Sequence, residues 1–152
     1  MPYPTDWNLA PLHHAWNIRF GMTFDEVVEC LGEPDQKLSP VWGSRAQRAA
    51  WASGGIAIHF SPKVEFIEFS RQSSLRPLLE GLAPLELHAS EVVERMAAAG
   101  HECNQDHPEA GYTYIYQDIQ VAFWRHILPE GDDDEDGRYF DTVALGRPGY
   151  YS

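Results

Sequence analysis

Gly21-Met22-Thr23-Phe24-Asp25-Glu26-Val27-Val28-Glu29-Cys30-Leu31-Gly32-Glu33-Pro34 is the stretch on which the reading of the fold turns. Thr23 suits an N-cap and Glu26, three residues on, completes a capping box, while Gly32 and then Pro34 end the helix. Phe24, Val27, Val28 and Leu31 recur at i, i+3, i+4 and i+7, so one face of this helix is apolar and buried. Its Glu-Val-Val-Glu tetrapeptide, Glu26 to Glu29, returns at Glu91 to Glu94. There it lies in a second amphipathic stretch, Ser90 to Ala99, with Val92, Val93, Met96 and Ala97 as the apolar stripe and Gly100 as the stop.

Strand patterns follow each helix. After the first come Arg48 to Ala52, Ile56 to Phe60 and Val64 to Phe69, the last two joined by Ser61-Pro62-Lys63, short enough for a hairpin. After the second come Tyr112 to Tyr116, Ile119 to His126 and Tyr139 to Leu145. The repeated order predicts an α+β fold of two tandem αβββ units, with antiparallel sheet and both helices packed on one face. Residues 1–17, rich in Pro and Trp without a clear period, read as an irregular arm covering the core. Residues 18–75 and 76–152 are then the two units of one compact domain.

The pattern Phe20-Gly21-Met22-Thr23-x-x-Glu26-Val27-x-x-x-Leu31-Gly32-Glu33-Pro34 resembles the opening of a small domain found in two places. One is the SmpA/OmlA-type outer-membrane assembly lipoproteins; the other is the beta-lactamase-inhibitor-protein (BLIP-like) family. The resemblance implies helical units backed by antiparallel strands. In the inhibitor family two such units stand in tandem and a concave sheet grips a partner enzyme. The matched motif is a helix start and stop, so it implies a fold and a mode of use and assigns no binding residue.

Composition narrows the function classes. With 43% hydrophobic and 12% aromatic residues in 152, the chain can bury a core without staples. Against 11 Lys and Arg stand 23 Asp and Glu, a formal charge of -12 that repels phosphate backbones and attracts basic proteins. Nucleic acid is therefore not an expected partner. No apolar run approaches the roughly 20 residues of a membrane span. The opening Met-Pro-Tyr-Pro-Thr-Asp-Trp has no signal-peptide character, so the expected location is the cytoplasm. Cys30 and Cys103 read as reduced thiols there, with a bridge between them left open.

Catalytic patterns are absent from the sequence. Seven histidines, His13, His14, His59, His88, His101, His107 and His126, show no HExxH or H-x-H spacing and read as isolated surface or packed residues. The serines show no G-x-S-x-G elbow and the glycine pairs no phosphate-binding fingerprint. The sharpest motif is Asp132-Asp133-Asp134-Glu135-Asp136-Gly137. Asp132, Asp134 and Asp136 before a glycine match the start of a calcium loop, but the twelfth position is Val143, not a bidentate Glu. The run reads either as a calcium site or as an acidic finger for a basic partner.

Aromatic residues are in surplus. Trp51, Phe60, Phe66, Phe69, Tyr114, Phe123 and Phe140 suit a core, whereas Trp7, Trp16, Trp42, Trp124, Tyr112, Tyr116, Tyr150 and Tyr151 exceed what one sheet buries. Trp and Tyr are favoured interface anchors. The segment Gly146 to Ser152 is expected either to fold back on the sheet or to touch a partner. The resulting expectation is a non-catalytic, immunity or inhibitor-type binding domain that blocks a basic protein through an acidic, aromatic sheet face. Asp132, Asp133, Asp134, Glu135, Asp136, Tyr112, Trp124, Tyr150 and Tyr151 are its expected contacts. Alternative readings are a calcium- or small-ligand-binding module and a small enzyme of unknown type.

Overall fold

The structure, a computed structural model, describes residues 3–38, 47–71, 73–103, 112–126 and 137–151. In chain order its elements are β1 Asp6–Ala10, β2 His14–Ala15, β3 Ile18–Arg19, α1 Phe24–Leu31, β4 Gln36–Leu38, β5 Gln47–Trp51, β6 Ile56–Phe60, β7 Val64–Ser70, β8 Arg76–Leu79, α2 Ala89–Ala98, β9 Thr113–Tyr116, β10 Val121–Trp124 and β11 Thr142–Gly146. Among the described residues the chain is an α+β, sheet-rich fold with two α-helices.

The larger sheet has the order β4-β5-β6-β7-β11-β10-β9, and every neighbouring pair in it is antiparallel. Its two meanders meet where β7 pairs with β11, from Thr142 opposite Ser70 to Gly146 opposite Phe66. Successive strand residues face opposite sides, so register decides which ones enter the core. Ile56, Ile58 and Phe60 of β6, Ile67 and Phe69 of β7, Val143 and Leu145 of β11, and Val121 and Phe123 of β10 are all buried in one cluster. A register shift between His59 and Phe60 sets Phe60 opposite Val64 and His59 opposite Phe66. The bulge therefore gives Val64 to the core cluster and leaves Phe66 on the other face with His59.

The helix starts and stops as its sequence dictates. The Thr23 hydroxyl accepts from Glu26 N–H at 3.2 Å, and the Glu26 carboxylate accepts from Thr23 N–H at 3.1 Å. These bonds from Thr23, the backbone one foremost, hold the Glu26 carboxyl below its ordinary range. Gly32, at φ 83°, ends the helix in a conformation that costs a glycine nothing. Val27 and Leu31 are buried, Phe24 meets Phe60 edge-on at 5.4 Å, and Trp51 Nε1 donates to Gly32 O at 2.9 Å. α2 buries Ala89, Val92 and Met96, and its entry is tied down by Ala89 N–H donating to Arg138 O. The expected stripe placed Ala97 inside, but it is exposed. The buried line runs instead through Ala89, Val92 and Met96, at i, i+3 and i+7.

Residues 1–17, read from the sequence as an irregular arm, contain β1 and β2, and β3 follows at once. β1 alternates Asp6, Trp7, Asn8 and Leu9, with Trp7 and Leu9 buried, a period-two pattern that the neighbouring prolines masked. Its free edge is filled by β8, parallel to it from Asp6 opposite Arg76 to Leu9 opposite Leu79. The four strands order as β3-β2-β1-β8. Trp7, 0% exposed, bridges this smaller sheet to the larger one, with Phe69 at 5.4 Å and Trp16 at 5.2 Å. Trp7 and Tyr116, counted from sequence as surplus aromatics, are therefore core residues, and Trp16 packs half-buried on Trp7. Cys30 and Cys103 are free thiols packed against the same cluster.

Replacing Thr23 by Ala removes the cap from α1 and should cost about 1 kcal/mol. For a chain of this size that lowers the melting temperature by about 2–4 °C, read by calorimetry. An unchanged melting temperature would show that α1 is held by its buried face alone.

Candidate binding face

One face of the larger sheet holds the core. The opposite face carries the other parity: Ala57 and His59 of β6, Phe66 and Glu68 of β7, Thr142 and Ala144 of β11, Ala122 and Trp124 of β10, and Thr113 of β9. A depression of about 350 Å³ opens there, walled by Phe66, Trp124 and Tyr151, with Ala122, Ala144 and Glu68 between them. The hydroxyl-bearing Thr113 and Thr142 complete its rim beside Trp124.

Part of this face is covered by a strap, residues 147–151. Arg147 N–H donates to Glu65 O at 2.9 Å, and Tyr150 N–H donates to Arg147 O at 2.9 Å, which turns the chain back across β11 and β7. Tyr150 stacks on Phe66 at 4.7 Å, and Phe66 in turn meets the His59 ring at 4.8 Å. Tyr151 is held by Gln120: its N–H donates to Gln120 Oε1 at 2.6 Å and its O accepts from Gln120 Nε2 at 3.0 Å. Gln120 is buried, and its Nε2 donates to Gln117 O as well, so this polar side chain is satisfied by holding the strap. Gly146 is needed beneath it. A Cβ there would lie 2.6 Å from Tyr150 Cβ.

The sequence-predicted contacts are divided by this geometry. Trp124, 42% exposed, and Tyr151 line the depression, and Tyr150 sits next to it on Phe66. Tyr112, 38% exposed, is not among the residues lining it. It precedes Thr113, which pairs with Trp124, and so has the alternate parity. Asp132, Asp133, Asp134, Glu135 and Asp136, offered both as the acidic finger and as a calcium site, lie outside the described residues, as does Trp42. Among the described residues no group of His, Cys, Asp and Glu is arranged to hold a metal ion. Sequence reading missed Glu68, Gln120 and Gly146. The signal available for Glu68 was its parity, opposite to that of Ile67 and Phe69.

Two of the histidines, read from the sequence as isolated, lie beside carboxylates. His101 Nδ1 lies 2.7 Å from Asp118 Oδ2, and His126 Nδ1 lies 2.6 Å from Asp141 Oδ2, whose carboxylate also accepts the His126 N–H. The second pair ties the end of β10 to the start of β11. Three depressions, at Leu79 and Met96, at Arg71 and Arg76, and at Glu68 and Trp124, have no histidine in their walls. Among the described residues no helix is long and apolar enough to cross a membrane. Comparison with protein-family models, with curated proteins and with solved structures gives no match to this chain.

Two measurements follow from the strap. Gly146→Ala pushes a methyl into Tyr150, an overpacking that should cost about 1–3 kcal/mol. Hydrogen exchange should then show the Tyr151 amide unprotected while core amides such as that of Ile58 keep their protection. Equal protection in both proteins would mean that the strap is not seated through Gly146. Burial, then the charge of Tyr150 and of Glu68, pushes the Tyr151 hydroxyl well above its ordinary 10.0, and burial with the Cys103 thiol does the same for Tyr116. The fold binds these protons more tightly than the unfolded chain. Their stabilisation is fully present below pH 10 and falls as pH rises beyond it, which melting curves on either side of that pH should register.

Proposed function

We propose that this chain is a non-catalytic protein-binding domain of the immunity or inhibitor type. It blocks a basic partner through the sheet face that carries Trp124, Tyr151, Phe66 and Glu68. The observation that carries this reading is a large tryptophan left 42% exposed on a sheet face, beside a depression with a carboxylate in it. Large exposed aromatics of this kind are costly to leave in water and are enriched as anchors at interfaces. The formal charge of -12 steers a cationic partner toward the chain.

The architecture proposed to serve this function is a duplicated αβββ unit, with α1 and α2 on the core side and the two meanders joined at β7 and β11. Support comes from the strand order, in which β5-β6-β7, flanked by β4, and β9-β10-β11 run inward from opposite sides to the same central pair. The resemblance of Phe20 to Pro34 to the SmpA/OmlA-type and inhibitor-family domain is consistent with it. The acidic residues 132–136, which lie in sequence between β10 and β11, form a second contact in this proposal. The domain acts in a cytoplasm, where Cys30 and Cys103 stay reduced.

The test is affinity capture from a lysate of the source cell with the wild-type chain and with Trp124→Ala, eluted by a salt step and identified by mass spectrometry. The captured protein is then purified and rebound. A basic protein that rebinds the wild type and binds Trp124→Ala at least about ten-fold more weakly is the expected result. A partner that ignores the Trp124 change, or the absence of any partner that rebinds, overturns the reading.

A further inference from the structure

Glu68 stands in a row made mostly of alanines. Register sets Ala50, Ala57, Glu68, Ala144, Ala122 and Ile115 side by side across β5, β6, β7, β11, β10 and β9. Alanines rise little above a sheet, so the row is a trough with one carboxylate on its floor. Phe66, with Tyr150 and Tyr151 over it, forms one bank, and Ser70, Thr142 and Trp124 form the other. The two banks are four residues apart along a strand, or about 13 Å at the usual rise. Once the rings have taken their share of that width, the gap suits one flat polar group and is too narrow for a helix.

The chemistry of the floor selects the group. Glu68 has a side chain 30% exposed, and the nearby His59 Nε2, itself buried and without a hydrogen-bond partner, lies 3.9 Å from Glu68 Oε1, beyond good hydrogen-bond reach. Among the described residues no lysine or arginine pairs with Glu68. An apolar occupant would cover this carboxylate and leave it unsatisfied, which is costly. A cation satisfies it. An ammonium is compact and strongly hydrated, whereas a guanidinium is flat, weakly hydrated, stacks on indole and phenol faces and offers a carboxylate two parallel N–H donors. The aromatic banks on both sides and the carboxylate below fit the second group.

We infer that the depression is a subsite for one arginine side chain of a basic protein, with its guanidinium on Glu68 between Trp124 and Tyr151. The inference rests on the reading of this face as protein-binding and specifies what that face grips.

The full chain is titrated with N-acetyl-arginine-N-methylamide, and the indole Nε1–H resonance of Trp124, assigned through its loss in Trp124→Phe, is followed by NMR. The expected result is a saturable shift with a Kd on the order of millimolar, as suits a single side chain. Binding should be roughly ten-fold weaker in Glu68→Gln, the usual effect of losing a charged hydrogen-bond partner. It should be weaker for the lysine analogue and absent for the neutral citrulline analogue. Equal shifts from citrulline or lysine, an affinity untouched by Glu68→Gln, or no saturable shift from arginine overturns the inference. If Glu68→Gln does not fold, Trp124→Ala at its exposed position is read from the amides of Ala122 and Ala144, and unchanged affinity has the same force. Failure of arginine to bind while a purified partner still depends on Trp124 removes the subsite and leaves the binding face. Loss of both removes the reading of the face itself.

Discussion

The pairing of β7 with β11 is the constraint on which the rest of the structure depends. These strands lie at the middle of the larger sheet, so both edges of each must be satisfied by backbone partners. Their register also fixes parity for everything beside them. Phe69 opposite Val143 and Ile67 opposite Leu145 point into the core cluster, which leaves Glu68 opposite Ala144 on the other face. A slip of β7 by one residue would carry Glu68 to the core side beside Leu145 and turn Phe69 to the other face. Trp7 rests on Phe69, so the smaller sheet also inherits its seat from this register.

The same parity explains why the two faces differ in character. On the core side large aliphatic and aromatic residues, Trp7 among them, share one buried cluster. On the far side alanines alternate with a few rings, and the strap covers part of it. Gln120 connects the two. Its backbone O accepts from Gly146 N–H at 2.8 Å, while its side chain holds both polar groups of Tyr151. Sheet and strap are thus fixed to one residue at the turn between β9 and β10.

Much of this fold was legible because its local signals agree with its long-range ones. The cap at Thr23, the stop at Gly32 and the alternation of Ile56 to Phe60 all have physical causes within a few residues. The strands at the start were not legible, because β2 and β3 are two residues each and the longest pairing of β1 is parallel, with β8 about seventy residues away. The face was partly legible. Trp124 and Tyr151 stood out as surplus aromatics, whereas Phe66 was assigned to the core because no run of residue types reveals the bulge beside His59. Gln120 and Gly146 carry no motif at all. Their role exists only when Tyr150 and Tyr151 fold back.

Strand length at the margins of the larger sheet sets how this molecule can meet another. Among the described residues β4 has three residues and β9 has four, so a foreign strand laid along these segments would find only a few main-chain groups to bond. Main-chain addition of that kind is indifferent to side-chain identity and is the usual route to promiscuous assembly. In the proposed binding role, such edges and a chemically distinctive face displace recognition from backbone to side chains. Single substitutions can then retune what is bound without altering how the chain folds.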